Sequence, residues 1–266
     1  MPSSSPFSGP LLSIPAVVLS RVPPDQAALH SGQFAAISAE LAKAGIPFAV
    51  VDSVYDTSDD SPTADFLRNT PGSMILLGWH YPRALRWILA RHGVAQVRCL
   101  DARLKPEALV GQVMEIRAGA PAAPISAPQP AAEVQTRWYP VIDYGQCTNC
   151  MDCLDFCLFG VYGVDAQEKL RVVSPDQCRQ DCPACARVCP ANAIIFPKYQ
   201  GDPAIAGAEL SAAGGPRKLD LSGLFGKPKG LQQAQLERER AQHKPGTSGD
   251  KDSVEKLSQE FDNLKL

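Results

Sequence analysis

The sequence predicts an α/β domain over residues 1–117, then a small cysteine-rich α+β domain over 137–199, and then a long polar tail. In the first part, short apolar runs alternate with stretches of helical periodicity. In the second, eight cysteines lie within 43 residues, and the residues after 199 are rich in Gly, Pro, Ala and charged side chains. Strands that alternate with helices are typical of a small parallel sheet with right-handed crossovers.

Four apolar runs predict the strands, and the segments between them predict the helices. Phe34, Ile37 and Leu41 recur at helical spacing before Gly45, a residue that commonly ends a helix. Pro106 suits the first turn of the last helix, where a missing backbone N–H costs nothing. The expected strands are 14–19, 46–51, 73–77 and 96–100, and the expected helices are 25–44, 61–68, 82–91 and 106–117.

Two segments have compositions that do not favour a packed core. Residues 118–136 are mostly Ala, Pro, Ser and Gln, which predicts a semi-stiff linker of extended geometry. Residues 200–266 predict a largely disordered tail with a short helix at 253–264. That helix would carry one apolar stripe and would become ordered in a groove on a partner or on the chain's own domains; the stripe consists of Val254, Leu257, Phe261 and Leu264.

The overall composition argues against several classes of protein. A formal charge of −2 and the lack of a basic aromatic patch argue against nucleic acid as a partner. The sequence contains no run of about 18 apolar residues, the length that would predict a membrane span. Its first residues lack the basic and apolar regions of a secretion signal. We therefore expect a cytoplasmic protein, in which clustered thiols indicate metal binding more than disulfides.

The cysteines form two runs of closely similar spacing. The first has the pattern C-x2-C-x2-C-x3-C, and the second has C-x3-C-x2-C-x3-C followed by Pro190. A cubane iron-sulfur cluster needs four thiolates, of which a tight loop can supply three and a distant segment the fourth. Two zinc sites of four cysteines each would use the same thiolates, but zinc ligands usually come as separated pairs. The first run is Cys147, Cys150, Cys153 and Cys157, and the second is Cys178, Cys182, Cys185 and Cys189.

This spacing resembles that of bacterial-type two-cluster ferredoxins, over about residues 137–199 only. The resemblance implies a ferredoxin-like fold with two 4Fe-4S clusters, in which the fourth cysteine of each run serves the other cluster. Cluster I would then take Cys147, Cys150, Cys153 and Cys189, and cluster II would take Cys178, Cys182, Cys185 and Cys157. The chain departs from the family pattern in two places, since Leu158 follows Cys157 where Pro is usual and the second run has an extra residue.

An internal repeat supports two equivalent halves. Residues 141–147 align with 172–178 at a shift of 31, and the last cysteines of the two runs lie 32 apart because of the one inserted residue. The resemblance implies that 141–143 and 193–196 are the outer paired strands. The extra residue in the second loop predicts that the two clusters are inequivalent.

The function of the first domain is less evident. The turn after its first strand lacks the G-x-G-x-x-G pattern, and no phosphate-binding glycine loop is present. Ligands of parallel sheets bind at the carboxyl ends of strands, here Asp52, the loop 78–83 and Asp101. Four side chains of that loop could bind a ligand, contact a partner, or pack against the cysteine-rich domain: Trp79, His80, Tyr81 and Arg83.

These observations favour an electron-transfer protein, or the electron-feeding subunit of a larger oxidoreductase, without substrate chemistry of its own. Residues 137–199 carry seven acidic and six basic side chains, and two oxidised clusters would bring their charge to about −5. We therefore expect a redox partner that docks through a basic surface. One alternative is an enzyme whose α/β domain binds a substrate or cofactor, and another is a docking scaffold that its clusters stabilise.

Overall fold

The first part of the chain builds a parallel sheet of four strands. The computed structural model describes residues 15–117 and 134–210. The strands are β1 (Ala16–Ser20), β2 (Ala49–Val51), β3 (Met74–Gly78) and β4 (Val97–Asp101), in the order β2-β1-β3-β4. All three neighbouring pairs are parallel, as the alternation of strands and helices predicts.

Three helices connect these strands and a fourth follows β4; three of the four begin with proline. They are α1 (Ala27–Lys43), α2 (Pro62–Asn69), α3 (Pro82–Arg91) and α4 (Pro106–Arg117). The bounds of α3 and α4 are those that the sequence predicts, because a proline begins each of them. A 3-10 turn at Pro24–Gln26 precedes α1, and Ser61 caps α2 by accepting a hydrogen bond from the backbone N–H of Ala64.

Helices cover both faces of the sheet. Every residue of β3 is buried, because this central strand contributes to two separate apolar layers. Leu85 and Ile88 of α3 belong to one layer, while Ile37 and Leu41 of α1 pack with Leu109 of α4 in the other. Burial on both sides explains the uninterrupted apolar sequence of β3.

The cysteine-rich part is built from two small antiparallel ladders and two short helices. The strands β5 (Val141–Ile142) and β8 (Ile194–Ile195) form one ladder, and β6 (Tyr162–Val164) and β7 (Leu170–Val172) form the other. The helices are α5 (Asp152–Phe156) and α6 (Ala184–Val188). A third core lies between these elements and includes Ile142, Tyr162, Leu170, Ile194 and Phe196.

The two halves of this part repeat each other in backbone geometry. The residue before the second cysteine of each run, Asn149 or Asp181, has a positive φ, of 60° and 59°. The residue three places after the last cysteine, Gly160 or Asn192, does so too, with φ of 66° and 50°. Glycine and asparagine tolerate this conformation best.

The pairing of strands in the two ladders relates the two halves at a shift that differs by one residue from the sequence alignment. Ile142 pairs with Ile194, and Val172 pairs with Tyr162, so the strands superpose at a shift of 30 and not 31. The turn before Cys178 is longer than the turn before Cys147 because it contains a 3-10 turn at Pro175–Gln177. Residues 141–143 and 193–196 do pair, with Asp143 N–H donating to the Ala193 carbonyl at 2.8 Å.

A densely bonded interface joins the cysteine-rich part to the parallel sheet. Tyr55 stacks on Tyr139 at 4.4 Å; its hydroxyl donates to the Tyr139 carbonyl and accepts from the Tyr139 N–H. Lys198 is buried and makes ion pairs with Asp56 at 2.7 Å and Asp25 at 2.9 Å. Side chains from both parts also share one apolar core, so the two parts form one compact unit.

Arg83 makes a second buried ionic contact in this interface. Its side chain is only 3% exposed, its Nε donates to the Asp143 carboxylate at 2.6 Å, and its Nη2 donates to the Asn192 carbonyl at 2.6 Å. Its Nη1 lies 3.4 Å from the carbonyl of Ala204. One guanidinium on α3 therefore contacts the first half of the repeat, the second half and the segment that follows them.

The packed chain continues beyond residue 199, where the composition predicts the start of the tail. A short helix, α7 (Pro203–Ala206), lies against α3, and a Cβ placed on Gly207 would stand 2.7 Å from that of Ala84. Arg83 and the Phe196 N–H, which donates to the Ile205 carbonyl, hold this segment in place. The predicted helix at 253–264 and most of the predicted linker lie outside the described residues. Within residues 15–117 and 134–210, no helix combines the length and apolar character that crossing a bilayer needs.

Replacing Arg83 with Met should destabilise the protein strongly, because it leaves the buried Asp143 carboxylate without its cationic partner. Loss of one partner of a buried pair costs about 3–5 kcal/mol. Lys43→Met is the matched control, since Lys43 forms an exposed pair with Glu40 and should cost less than about 1 kcal/mol. Anaerobic urea unfolding followed by circular dichroism measures both variants, and equal losses would contradict the interface described above.

Candidate metal centre

The first cysteine run is shaped by hydrogen bonds that anchor it at both ends. Asp143 accepts from the N–H groups of Gly145 and Gln146 through Oδ1, and its carbonyl accepts from the Cys147 N–H at 2.9 Å. The side chain of Asn149 donates to the Glu168 carbonyl and accepts from the Leu170 N–H. These bonds fix the loop between Cys147 and Cys150 against both ladders.

Four cysteines, which we call group I, line one pocket. Cys147, Cys150 and Cys153 come from the first run, and Cys189 is the last cysteine of the second run. The remaining wall is largely apolar and includes Met151, Leu170, Ala193 and Ile194. The helix α6 and the turn after it bring Cys189 across to the first loop, which the linear sequence places 36 or more residues away.

The other four cysteines, which we call group II, are Cys178, Cys182, Cys185 and Cys157. Burial, together with the charges of Cys185, Cys182 and Cys157, raises the pKa of Cys178 to about 12. Burial likewise raises the pKa of Cys185 to about 11, with Cys157 and Cys182 again among the charges that act on it. Cys185 belongs to the third core, and Cys157 and Cys178 pack against it, so a member of the first run shares this core with two members of the second.

The two groups meet at their buried members. Burial raises the pKa of Cys153 to about 12, and the first charge that adds to this effect is that of Cys185. Both residues are buried in the third core. One buried cysteine of each group therefore lies in the same core.

Hydrogen bonds reach the sulfurs from different donors in the two groups. The Ala193 N–H donates to Cys189 Sγ at 3.3 Å in group I. In group II, the hydroxyl of Tyr162 donates to Cys185 Sγ at 3.1 Å. Hydrogen bonds to ligand sulfurs are one of the main ways in which a protein tunes a metal centre.

The thiols of group I line a pocket and do not converge on a single point. Across residues 15–117 and 134–210, no three His, Cys, Asp or Glu side chains converge tightly enough to hold a single metal ion. All nine cysteines are free thiols. In a cubane, each thiolate binds a different iron, so its four ligands are spread over the corners of a cube.

The loop after β3 is used for packing within the chain. Trp79 is buried, and its Nε1 donates to the Ser20 carbonyl at 2.7 Å. The ring of Tyr81 lies under the guanidinium of Arg103 at 4.2 Å, and Arg83 binds Asp143 as described. Of the other expected ligand residues, Asp101 binds Arg103 at 2.6 Å, and Asp52 accepts from the Thr63 hydroxyl at 3.3 Å.

His80 lies at the carboxyl edge of the sheet, where the cysteine-rich part covers it. The side chain is 3% exposed and packs edge-on against Tyr55 at 5.5 Å. Burial, together with the charges of Lys198 and Arg103, lowers the pKa of His80 to about 3. The crevice in which parallel sheets bind ligands is thus filled at this point by the chain itself.

The cysteine pattern does not predict three of the residues that surround the thiols. Asp143 and Asn149 shape the first loop, and Tyr162 contacts a thiol 23 residues away in sequence. The sequence places Tyr162 in an expected strand but does not pair it with the second run. An alignment of the two halves could have singled it out as a polar residue opposite an apolar one.

The free energy of unfolding of the His80→Gln variant should depend less on pH than that of the wild-type protein. The unfolded imidazole takes up a proton near pH 6.5 while the buried one does not until about pH 3, so its contribution is present above pH 6.5 and is lost as the pH falls. Wild-type protein should therefore lose about 2 kcal/mol relative to His80→Gln between about pH 7.5 and pH 5. Urea unfolding at both pH values measures this difference, with His30→Gln as a control at a less buried imidazole; a constant difference for His80→Gln would contradict the prediction.

Comparison with known proteins finds a ferredoxin. Over 62 residues, the chain is 50% identical to an uncharacterised ferredoxin of Methanocaldococcus jannaschii. The matched segment makes up 23% of this chain and 41% of that protein, so the chain spans less than half of the length of this relative. No protein-family model and no solved structure matches the chain. The chain thus contains a ferredoxin-like iron-sulfur segment, which covers a small part of its length.

Proposed function

We propose that this protein transfers single electrons through two 4Fe-4S clusters, as a carrier or as the electron-feeding subunit of a larger oxidoreductase. Group I would hold cluster I and group II would hold cluster II. The observation that carries the proposal is the pocket in which Cys189 joins Cys147, Cys150 and Cys153. This is the crossed ligand set that the resemblance to two-cluster ferredoxins implies, and the ferredoxin relative supports the same chemistry.

The residues around the thiols would suit a redox centre whose ligand geometry changes little when it gains or loses an electron. A cluster held there would supply a one-electron couple. Leu170 and Ile194 form apolar walls beside the ligands, while the anchoring bonds of Asp143 and Asn149 keep the first loop rigid. A rigid, partly dry ligand shell is expected to keep the rearrangement on electron transfer small.

The contacts of the α/β part favour a carrier or subunit over an enzyme with a substrate site at the sheet edge. His80 and Trp79 are buried there, and Lys198 and Tyr139 from the cysteine-rich part contact the residues of this edge. We therefore propose that the sheet serves as a base that holds the two cluster loops. On this view, the protein carries out no substrate chemistry of its own.

The surface beside group II is the proposed contact for the redox partner. Cys157 is flanked by Phe156, Leu158 and Phe159, which are all exposed; Leu158 is 92% exposed. Exposed apolar patches of this kind commonly mark interaction sites. Asp152 and Asp155 of α5 lie next to it in sequence, and each loaded cluster would add negative charge, so the partner that fits is a redox protein with a basic rim around an apolar contact.

Metal content and spectroscopy test the proposed cofactor directly. Protein purified without oxygen should contain about eight irons and eight sulfides per chain and should give two reversible one-electron waves in film voltammetry. It should show an EPR signal on reduction. Stoichiometric zinc, or iron that cannot be reduced, would rule the proposal out.

Serine substitutions of the crossing cysteines should each disturb a different cluster. Cys189→Ser removes a ligand of cluster I and Cys157→Ser removes one of cluster II, so each variant should lose or alter about half of the iron while the remaining EPR signals differ between them. Cys99→Ser is the matched control, because Cys99 lies in β4 outside both groups. Identical residual signals from the two variants would contradict the crossed assignment.

Leu158→Ser should slow electron transfer to a basic protein without changing the clusters. Reduced protein mixed with cytochrome c, a basic redox protein, should react about threefold more slowly when the apolar contact is lost, and added salt should slow wild-type transfer. Leu29→Ser is the matched control, since Leu29 is 75% exposed but lies on α1, which contributes no cysteine. Equal rates for both variants would contradict docking at this surface.

A further inference from the structure

Tyr162 brings a hydroxyl group to a thiol inside the protein. Its side chain is 5% exposed, and Cys185, whose Sγ accepts the hydrogen bond at 3.1 Å, is 8% exposed. The ring is held in the third core between the two ladders. A hydrogen bond in such surroundings is electrostatically stronger than one in water.

The other half of the repeat has no such hydroxyl at the equivalent place. Tyr162 pairs with Val172 in one ladder, and Ile194 pairs with Ile142 in the other. Tyr162 and Ile194 are 32 residues apart, as are Cys153 and Cys185. Ile194 lines the pocket of group I together with Cys153, but an isoleucine side chain cannot donate a hydrogen bond.

We propose that the Tyr162 hydroxyl gives cluster II the higher reduction potential of the two clusters, an inference that rests on the proposed function. Reduction adds one negative charge to a cluster and its thiolates. A donor aimed at a ligand sulfur stabilises the reduced form more than the oxidised form, so it raises the potential. Cluster I lacks this side-chain donor at the matching sulfur, and the first electron therefore resides on cluster II.

The exposure of Cys150 in group I would raise the reduction potential of cluster I, because solvent also stabilises added negative charge. Water around an exposed thiolate is mobile and of high dielectric constant, whereas the Tyr162 hydroxyl is fixed against its sulfur in a buried site. At equal distance, a dipole acts more strongly through the interior than through water. The hydroxyl should therefore decide the order.

This order places the electron next to the proposed docking surface. Cys157 of group II lies between Phe156 and Leu158, which are exposed. Cys153 of group I and Cys185 of group II are both buried in the third core, which connects the two groups. An electron that arrives at cluster I would pass to cluster II and would reside there, beside the proposed contact site of the partner.

Stepwise reduction of the wild-type protein tests the order of the clusters. Proton NMR resolves the paramagnetically shifted β-protons of each ligand cysteine, which residue-specific labelling and the Cys157→Ser and Cys189→Ser variants would assign. The signals of Cys178, Cys182 and Cys185 should respond to the first electron. A first response from Cys147, Cys150 and Cys153 would overturn the inference while leaving the two-cluster proposal intact, whereas the absence of reducible clusters would overturn both.

Tyr162→Phe tests the cause of this order, because it removes the hydroxyl and keeps the ring. The potential of cluster II should fall, with a roughly tenfold change in its one-electron equilibrium, which is about 59 mV; that of cluster I should stay within a few millivolts on this scale. Tyr199→Phe is the matched control, since the Tyr199 hydroxyl accepts from Arg187 at 2.9 Å and contacts no thiol. An unchanged cluster II potential in Tyr162→Phe, or an equal fall in Tyr199→Phe, would overturn the assignment to Tyr162.

Discussion

The buried carboxylate of Asp143 is the contact on which the rest of the structure depends. One oxygen binds the guanidinium of Arg83 on α3, and the other accepts from the two N–H groups that begin the first cysteine loop. An unpaired carboxylate at this depth would be costly, so the turn before Cys147 can form in this way only where the α/β part supplies a cation. The carboxylate of Asp143 thus couples α3 directly to the first cysteine loop.

The same coupling explains what the α/β part contributes. A small domain with two tight loops and strands of two or three residues has little apolar core of its own. Here Tyr139, Val141 and Ile195 enter the core beneath the parallel sheet, which lends the cysteine-rich part a rigid base. In return, Lys198 and Tyr139 cover the edge of the sheet where ligands of such folds usually bind. The first domain thus supports and positions the cysteine-rich part.

The repeat is symmetric in backbone and asymmetric in chemistry. Positive φ angles recur at matching positions in both halves, because each loop has to turn its cysteines inward in the same way. The side chains that contact the sulfurs do not recur, since Tyr162 stands where the other half has Ile194. A fold that places two sets of thiols in similar loops can thus still make them different, through the few groups that touch the sulfurs.

Much of this architecture could be predicted from the sequence. Apolar runs, prolines and glycines place the elements of the parallel sheet to within a few residues, because these signals act over short distances along the chain. The cysteine spacing likewise indicates two metal centres, since thiols this close in sequence can converge whatever lies around them. The order of the strands, the ion pair between Arg83 and Asp143, and the hydroxyl of Tyr162 on Cys185 follow only from the tertiary structure. Each joins residues that are far apart in the chain, and which distant partners meet depends on how the whole core packs.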